Sequence, residues 1–200
     1  YDELSNIIKK NNIRSYVNCP RRISNDYIKI KKIIKSQKFE MKFYGSNWNL
    51  ASNSIHYLDL FAFFTSSLNL NILDYEFTNY RPSKRKGYVD FNGRISIYSE
   101  NSKLNLLDYD QIGENILTIL TKDKYIKISE SRNEILTLDL INYKTTKNNN
   151  FHLDFISEST NKIISDLYNN NCSLIDFQSS TILHKTILNI FKNKKSFLIK

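Results

Sequence analysis

The sequence predicts a mixed α/β (α+β) domain, in which an open, mainly antiparallel sheet has helices packed on one face. Three observations lead to this fold class. Apolar residues recur at helical spacing near both ends of the chain, they alternate with polar residues from 69 to about 147, and tight turns separate the alternating segments. Consecutive short strands joined by tight turns are typical of antiparallel pairing. The 200 residues suffice for one domain with a sizeable core.

Helical and extended patterns alternate in the first third of the chain. The strand predictions rest on period-two alternation, and the helix predictions on apolar residues one turn apart. The helix predicted at Leu50–Thr65 is apolar around most of its circumference, so we expect it to be largely buried. In chain order the predicted elements are a helix in Tyr1–Lys10, a strand at Ile13–Cys19, a helix from Asn25 to about Ser36, a strand at Lys38–Tyr44 and a helix at Leu50–Thr65.

The middle of the chain predicts seven strands, and its end predicts two helices. The dipeptide Asn92-Gly93 predicts a two-residue hairpin turn between two of the strands. The strands are Ile72–Tyr80, Gly87–Phe91, Arg94–Ser99, Lys103–Asp108, Ile116–Thr121, Tyr125–Ser129 and Glu134–Tyr143, and the closing helices are Thr160–Tyr168 and Ser179–Phe191.

Composition narrows the classes of partner. Lys and Arg exceed Asp and Glu by 29 − 20 = 9, but the bases are dispersed and no recognition motif accompanies them, so we expect no nucleic-acid partner. A basic nucleic-acid binder stays as an alternative, which predicts affinity that falls steeply with salt. The longest apolar stretch, Leu60–Phe64, is too short to span a membrane. Cys19 and Cys172 form no CxxC pattern, so we expect reduced thiols in a cytoplasmic protein.

The glycines and histidines exclude several kinds of site. The four glycines, at 45, 87, 93 and 113, cannot form a GxGxxG turn or a P-loop, so the chain lacks the usual phosphate cradle of a dinucleotide domain. The three histidines show no metal-ligand spacing, and we expect no metal site. Motifs of serine-nucleophile enzymes are absent as well.

One segment, residues 45–59, concentrates polar side chains between a predicted strand and the buried helix. Asn53 and His56 share a helical face, with Ser52 beside them, and Asp59 is within reach of the same imidazole. Such neighbours can tune a histidine for acid–base work near neutral pH. The alternative is a core histidine satisfied by Asp59, with Ser52 and Asn53 as capping residues.

Three further residues are candidate ligand contacts. Trp48 is the only tryptophan, and it either stacks on a ligand or fills the core. Arg21 and Arg22 follow a predicted strand and can clamp an anionic group, although plain surface solvation explains them equally well.

The segments SYVNCPRR (15–22), GSNWNLASNSIHYLDLFAFF (45–64) and 151–188 resemble the C-terminal half of the Gfo/Idh/MocA oxidoreductases. This resemblance implies a two-domain enzyme that depends on NAD or NADP. Residues 1–19 would be the last helix and strand of the dinucleotide-binding (Rossmann) domain, and residues 20–200 the substrate-binding and oligomerisation domain. The remainder of the dinucleotide-binding domain would be missing from this chain, which alone would then be inactive.

The resemblance also assigns roles to residues. His56 matches the family histidine proposed as acid–base partner of the substrate, and Asp59 matches a structural residue. Many members carry an aspartate four residues before that histidine, where this chain has Ser52, with Asn53 beside it. We therefore expect His56 to be catalytic, and Arg22, Trp48, Ser52 and Asn53 to orient the substrate.

Two functions remain after the resemblance is considered. The first is the C-terminal domain of a dehydrogenase acting on a sugar, a nucleotide sugar or a sugar-like polyol, with homo-oligomers formed through the sheet face. The second is a non-catalytic binding or assembly module of the same fold. The sequence begins inside a predicted helix, which favours a chain truncated from a longer protein. We also expect this chain alone not to bind NAD or NADP.

Overall fold

A computed structural model describes residues 1–34, 37–83, 86–153 and 156–192. Within these ranges the chain contains five α-helices and ten β-strands. A short 3₁₀ helix, Pro20–Ile23, precedes the second α-helix. The helices are α1 (Asp2–Lys10), α2 (Asn25–Ile34), α3 (Leu50–Thr65), α4 (Ile156–Tyr168) and α5 (Phe177–Lys192).

Eight strands form one sheet in the order β3-β4-β5-β2-β6-β7-β8-β9. Neighbouring strands pair antiparallel except β2 and β5, which run parallel. The predicted mixed fold with a mainly antiparallel sheet is therefore confirmed. The strands are β2 (Glu40–Ser46), β3 (Asn71–Pro82), β4 (Val89–Ser99), β5 (Ser102–Tyr109), β6 (Ile116–Leu120), β7 (Lys124–Ser129), β8 (Glu134–Asp139) and β9 (Lys144–Asn148).

Helices α2, α3 and α5 cover one face of this sheet. Alternate residues of the central strands, such as Met41, Ile97 and Leu104, point to that face and are fully buried. They pack against apolar residues of the three helices in one continuous core. Helix α3 lies closest to the centre, because nine of its residues are buried, and it begins and ends where the sequence predicts.

Two short strands form a separate antiparallel sheet that joins the two ends of the described chain. Strand β1 (Tyr16–Val17) pairs with β10 (Ile175–Asp176), and the amide of Phe177 donates to the carbonyl of Ser15 at 3.0 Å. The predicted strand Ile13–Cys19 is therefore longer than the one that forms. Its partner is too short to sustain more pairing.

The predicted hairpin at Asn92-Gly93 is wrong, because β4 runs straight through both residues. Gly93 has φ +146°, and a Cβ atom there would lie 2.1 Å from the carbonyl oxygen of Glu76 on β3. The pairing of β3 with β4 also shifts register between Phe77 and Tyr80. Position 93 needs a glycine because the backbones of β3 and β4 approach closely there, beside a bulge. Pairing between these two strands therefore overrides the turn preference of Asn92-Gly93.

The segment Glu134–Tyr143, predicted as one strand, divides into a hairpin instead. Strand β8 ends at Asp139, and its carboxylate accepts hydrogen bonds from the amides of Ile141 and Asn142, both at 2.9 Å. Tyr143 then takes a left-handed conformation at φ +53° before β9 begins. An aspartate that bonds to amides two and three residues ahead is a turn signal, which the period-two pattern hid.

The structure tests two further expectations, the end of the second helix and the absence of a membrane-spanning segment, only over the described residues. Ser36, where the second helix was predicted to end, lies outside them, and α2 is described to Ile34. Among the residues that are described, no helix combines the length and the apolar character that crossing a bilayer requires.

Candidate functional site

The turn before α3 is fixed by a buried carboxylate from the sheet. Asp108 on β5 accepts hydrogen bonds from the amides of Trp48, Asn49 and Leu50 at 3.1–3.2 Å, and from Arg81 at 3.1 Å. The first amides of a helix have no partner within it, and they carry the positive end of the helix dipole. Asp108 therefore holds the start of α3 against the sheet.

A second carboxylate holds the first turn of α3. Asp90 on β4 accepts from the amide of Ala51 at 2.9 Å and from the hydroxyl of Ser52 at 2.8 Å. Asp90 is 1% exposed, so the interaction is buried. The two aspartates determine where the following side chains of α3, including Asn53 and His56, are placed.

These side chains line a cavity of about 340 Å³, named here the His56 cavity. One wall is aromatic. The rings of Phe43 and Tyr57 stack with centroids 3.7 Å apart, and Trp48 meets both edge-on. The indole nitrogen donates to the carbonyl of Leu107 at 2.9 Å, and Trp48 is 6% exposed. Trp48 is thus part of the core and also part of the cavity wall.

Polar side chains also line the cavity. Asn115, at the start of β6, and Ser131, after β7, line it together with Asn53 and His56. Asn115 reaches this position because Gly45 has no side chain: a Cβ there would lie 1.9 Å from the Asn115 amide oxygen. The amide nitrogen of Asn53 donates to the carbonyl of Trp48 at 2.6 Å, which fixes its orientation.

His56 is partly buried, and its Nδ1 atom is fully buried without a hydrogen-bond partner. Burial lowers the pKa of His56 below 6.5, and the charges of Arg21 and His184 lower it further, against the opposing effect of Glu130. The imidazole is therefore neutral near pH 7, and His56 is one of the residues that line the cavity.

The cavity contains one ion pair, formed by Arg21 and Glu130. The guanidinium donates Nε to one carboxylate oxygen at 2.8 Å and Nη2 to the other at 2.6 Å. Tyr57 accepts from the same Nη2 at 3.2 Å, and its ring lies 4.5 Å from the guanidinium carbon. Burial opposes the charge of Arg21, but Tyr57 and Glu130 outweigh it and raise the pKa of the arginine.

Arg22 lies outside the His56 cavity. Its guanidinium donates to both carboxylate oxygens of Asp59, at 3.0 and 2.6 Å, and Asp59 is 0% exposed. Asp59 thus binds Arg22 and leaves the His56 Nδ1 unpaired, contrary to the alternative in which the carboxylate satisfies the imidazole. Arg22 instead borders a separate cavity of about 700 Å³ between α2 and the end of α3.

Ser52 also faces away from the His56 cavity. It borders a third cavity of about 670 Å³, named here the Ser52 cavity, which lies towards Leu188 and Phe191 of α5. Asn53 and His56 border both the Ser52 cavity and the His56 cavity. The structure thus brings Trp48, Asn53 and His56 together, with Ser52 on the far side and Arg22 elsewhere.

Sequence reasoning missed Asn115 and Glu130. Both lie directly beside a predicted strand, Asn115 before β6 and Glu130 after β7, but no local motif marks either one. Only the pairing of β2 with β6 and of β6 with β7 brings them opposite α3.

Comparison with solved structures identifies the fold. A dehydrogenase (MviM) from Clostridium difficile superposes with a TM-score of 0.66 over 96% of this chain, at 14% identity. A dehydrogenase from Chromobacterium violaceum superposes with a TM-score of 0.65 over 96% of this chain, at 11% identity. The chain has the fold of the C-terminal domain of such oxidoreductases. The fold implied by the Gfo/Idh/MocA resemblance is thereby confirmed.

A third structure, UDP-N-acetylglucosamine 3-dehydrogenase GnnA from Acidithiobacillus ferrooxidans, superposes with a TM-score of 0.68 over 99% of this chain, at 12% identity. The chain spans about two thirds of the length of these solved chains, 65–67% in the three cases. No family model matches the sequence, and no curated protein matches it.

Proposed function

We propose that this chain is the substrate-binding and assembly domain of an NAD- or NADP-dependent oxidoreductase that acts on a sugar, a nucleotide sugar or a sugar-like polyol. The observation that carries this proposal is the His56 cavity, which is lined by a neutral imidazole, amide side chains and an aromatic wall. The dehydrogenase fold and the named activity of GnnA support it. Residues 20–200 form this domain in the proposal, and residues 1–19 belong with the dinucleotide-binding domain.

The residues of this chain do not fit a dinucleotide. The pyrophosphate of such a cofactor needs a glycine-rich turn between a strand and a helix, and the turn before α3 contains Asn47, Trp48 and Asn49. The amides at that helix start are already bonded to Asp108 and Asp90. The cofactor is therefore assigned to residues outside this sequence, and calorimetry on the chain should detect no binding of NAD or NADP. Tight stoichiometric binding would contradict the assignment.

His56 exchanges a proton with the substrate hydroxyl or ketone in this proposal. A neutral imidazole can accept the proton of a hydroxyl, and one with a lowered pKa releases it again easily. Asn53 and Trp48 orient the substrate from the cavity wall. Ser52 contacts substrate only where a ligand extends into the Ser52 cavity, and Arg22 holds α3 through Asp59.

The test is turnover of the parent enzyme, expressed from the reading frame that contains this chain. We expect His56→Ala to lower the rate of nicotinamide reduction by about 10²–10⁴-fold, the usual contribution of a positioned acid–base group. His152→Ala replaces an exposed histidine and serves as the matched control. Unchanged turnover of the His56 variant would refute the catalytic role.

The alternative is a non-catalytic binding or assembly module of the same fold. One observation favours it: the first turn of α3 contains no carboxylate, and the hydroxyl of Ser52 donates to Asp90 outside the His56 cavity. A parent that binds a sugar but never reduces the nicotinamide would support the module over the enzyme.

The cellular context and the assembly are further parts of the proposal. Cys19 and Cys172 are free thiols, which supports a cytoplasmic protein. The sheet face opposite the helices exposes Tyr98, Tyr109 and Leu120, which supports homo-oligomers formed through that face.

A further inference from the structure

The charges that line the His56 cavity cancel each other. Among the described residues, the fully charged side chains in its wall are Arg21 and Glu130. They are joined by two parallel hydrogen bonds, which use both carboxylate oxygens and one edge of the guanidinium. Glu130 also accepts a hydrogen bond from the hydroxyl of Tyr27, which is fully buried behind it. The pair is therefore built into the wall and contributes no net charge.

The groups left for a ligand are neutral. The side chains of His56, Asn53 and Asn115 line the cavity and offer hydrogen-bond donors and acceptors without a full charge. Phe43, Trp48 and Tyr57 supply an apolar wall beside them. Amides and aromatic rings that line one cavity match the hydroxyls and the C–H face of a sugar ring, and 340 Å³ lies at the small end of ligand cavities.

We propose that the His56 cavity takes an uncharged polyhydroxylated ring, a sugar or cyclic polyol, in preference to its phosphate ester. The inference rests on the proposed function and narrows its substrate class. A phosphate in this cavity would lose its water while the nearest guanidinium is already bonded to Glu130, and it would lie close to that carboxylate. The net charge of +9 belongs to the chain as a whole and does not describe this cavity.

The fluorescence of Trp48 can report ligand binding, because Trp48 is the only tryptophan and it lines the cavity. The chain is titrated with myo-inositol and glucose, and separately with glucose 6-phosphate, while the tryptophan emission is followed. Calorimetry on the same samples detects binding that leaves the emission unchanged. We expect a neutral ligand to bind at least about tenfold more tightly than the ester.

A charge variant sharpens the test. Glu130→Gln removes the negative charge and releases Arg21, so the ester should gain about tenfold or more in affinity relative to the neutral ring. Glu134→Gln is the matched control, because its carboxylate pairs with Lys147 on the outer strands and lies outside the cavity wall. The control should keep the preference of the unmodified chain.

The outcomes separate the inference from the function beneath it. An ester that binds the unmodified chain as tightly as the neutral ring would overturn the inference and leave the proposed function standing. No binding of any of these ligands, by either measurement, would overturn the placement of the substrate in this cavity and the proposed function with it. If the Glu130→Gln variant does not fold, the relative affinity of the unmodified chain for the neutral ring and the phosphate ester is sufficient to test the inference.

Discussion

Two adjacent arginines illustrate how much depends on single positions. Arg21 and Arg22 share a short 3₁₀ helix, but their side chains reach different partners. Arg21 pairs with Glu130 in the wall of the His56 cavity, and Arg22 pairs with Asp59 inside α3. The first pair sets the charge of the cavity, and the second fixes the helix that carries His56.

We predict that Arg22→Met destabilises the chain by about 3–5 kcal/mol, because it leaves the Asp59 carboxylate buried and unpaired. Arg22 is only 15% exposed, so solvent screens the pair little. Arg94→Met is the matched control: its guanidinium is 50% exposed beside Asp74 and Glu76, so solvent screens the pairs and its loss should leave the stability nearly unchanged. Urea unfolding measures both, and equal losses would contradict the prediction.

The second prediction at this scale concerns pH. The pKa of His56 is lowered in the folded chain by burial, Arg21 and His184, whereas the unfolded chain has an ordinary pKa of about 6.5. As pH falls below 6.5 the unfolded state gains a proton first, so the free energy of unfolding decreases until pH reaches the lowered pKa.

His56→Gln removes this proton uptake. The variant should therefore lose less stability than the unmodified chain between about pH 7.5 and about pH 5.5. The comparison at the higher pH corrects for the effect of the substitution itself. Identical pH slopes for the two proteins would show that the pKa of His56 is unshifted.

The candidate site shows which residues a sequence can reveal. Trp48, Asn53 and His56 were predictable because they lie within nine residues on one loop and one helix, where spacing determines proximity. Glu130 and Asn115 were not, because strand pairing brings them to α3 from far along the chain. Spacing alone does not separate Arg22 from Arg21, because it does not say which side chain of a 3₁₀ turn faces the cavity.

The elements themselves follow the same logic. Helix α3 and most strands could be predicted, since their patterns of apolar residues are local and strong. The two strand errors within the large sheet both occur where a neighbouring strand or a turn determines the structure. At Gly93 the neighbouring strand overrides a turn signal, and after Asp139 a side-chain turn interrupts an alternating pattern. The parallel pairing of β2 with β5 has no local signature either.

We predict that Gly93→Ala destabilises the chain by about 3 kcal/mol or more, since the new methyl group would collide with the β3 backbone at a φ that disfavours side chains. Gly113→Ala is the matched control, because a Cβ there meets nothing within 4 Å. Thermal or urea unfolding compares the two variants. Equal stability of both would refute the close approach at Gly93.

At the scale of the whole molecule, the sheet has one face covered by helices and one face open. A row across the open face joins Tyr98, Lys103, Glu40, Leu120 and Tyr125 on five neighbouring strands. Tyr98 and Leu120 are 38% and 44% exposed. Large exposed rings and aliphatic side chains on a regular surface favour pairing with a second copy.

Leu120→Lys should weaken such self-association by about tenfold or more, because it replaces an exposed aliphatic side chain of the row with a charge that the interface would have to desolvate. Ile141→Lys introduces the same charge in the turn between β8 and β9, at a residue that is 68% exposed, and should leave the assembly unchanged. Sedimentation equilibrium over a range of protein concentrations measures the difference. A chain that stays monomeric at every concentration would refute assembly through this face.

The small sheet of β1 and β10 has a consequence for synthesis on the ribosome. Tyr16 and Val17 emerge early, but Asp176 and Ile175 are added only after some 160 further residues. Throughout that interval the early segment has no strand beside it and must wait, while the large sheet and α3 can already assemble. Translation that stops before Ile175 would therefore release a product in which β1 has no partner and α5, which contributes Leu183 and Ile187 to the core, is missing. Such a product would be an easy substrate for quality-control proteases.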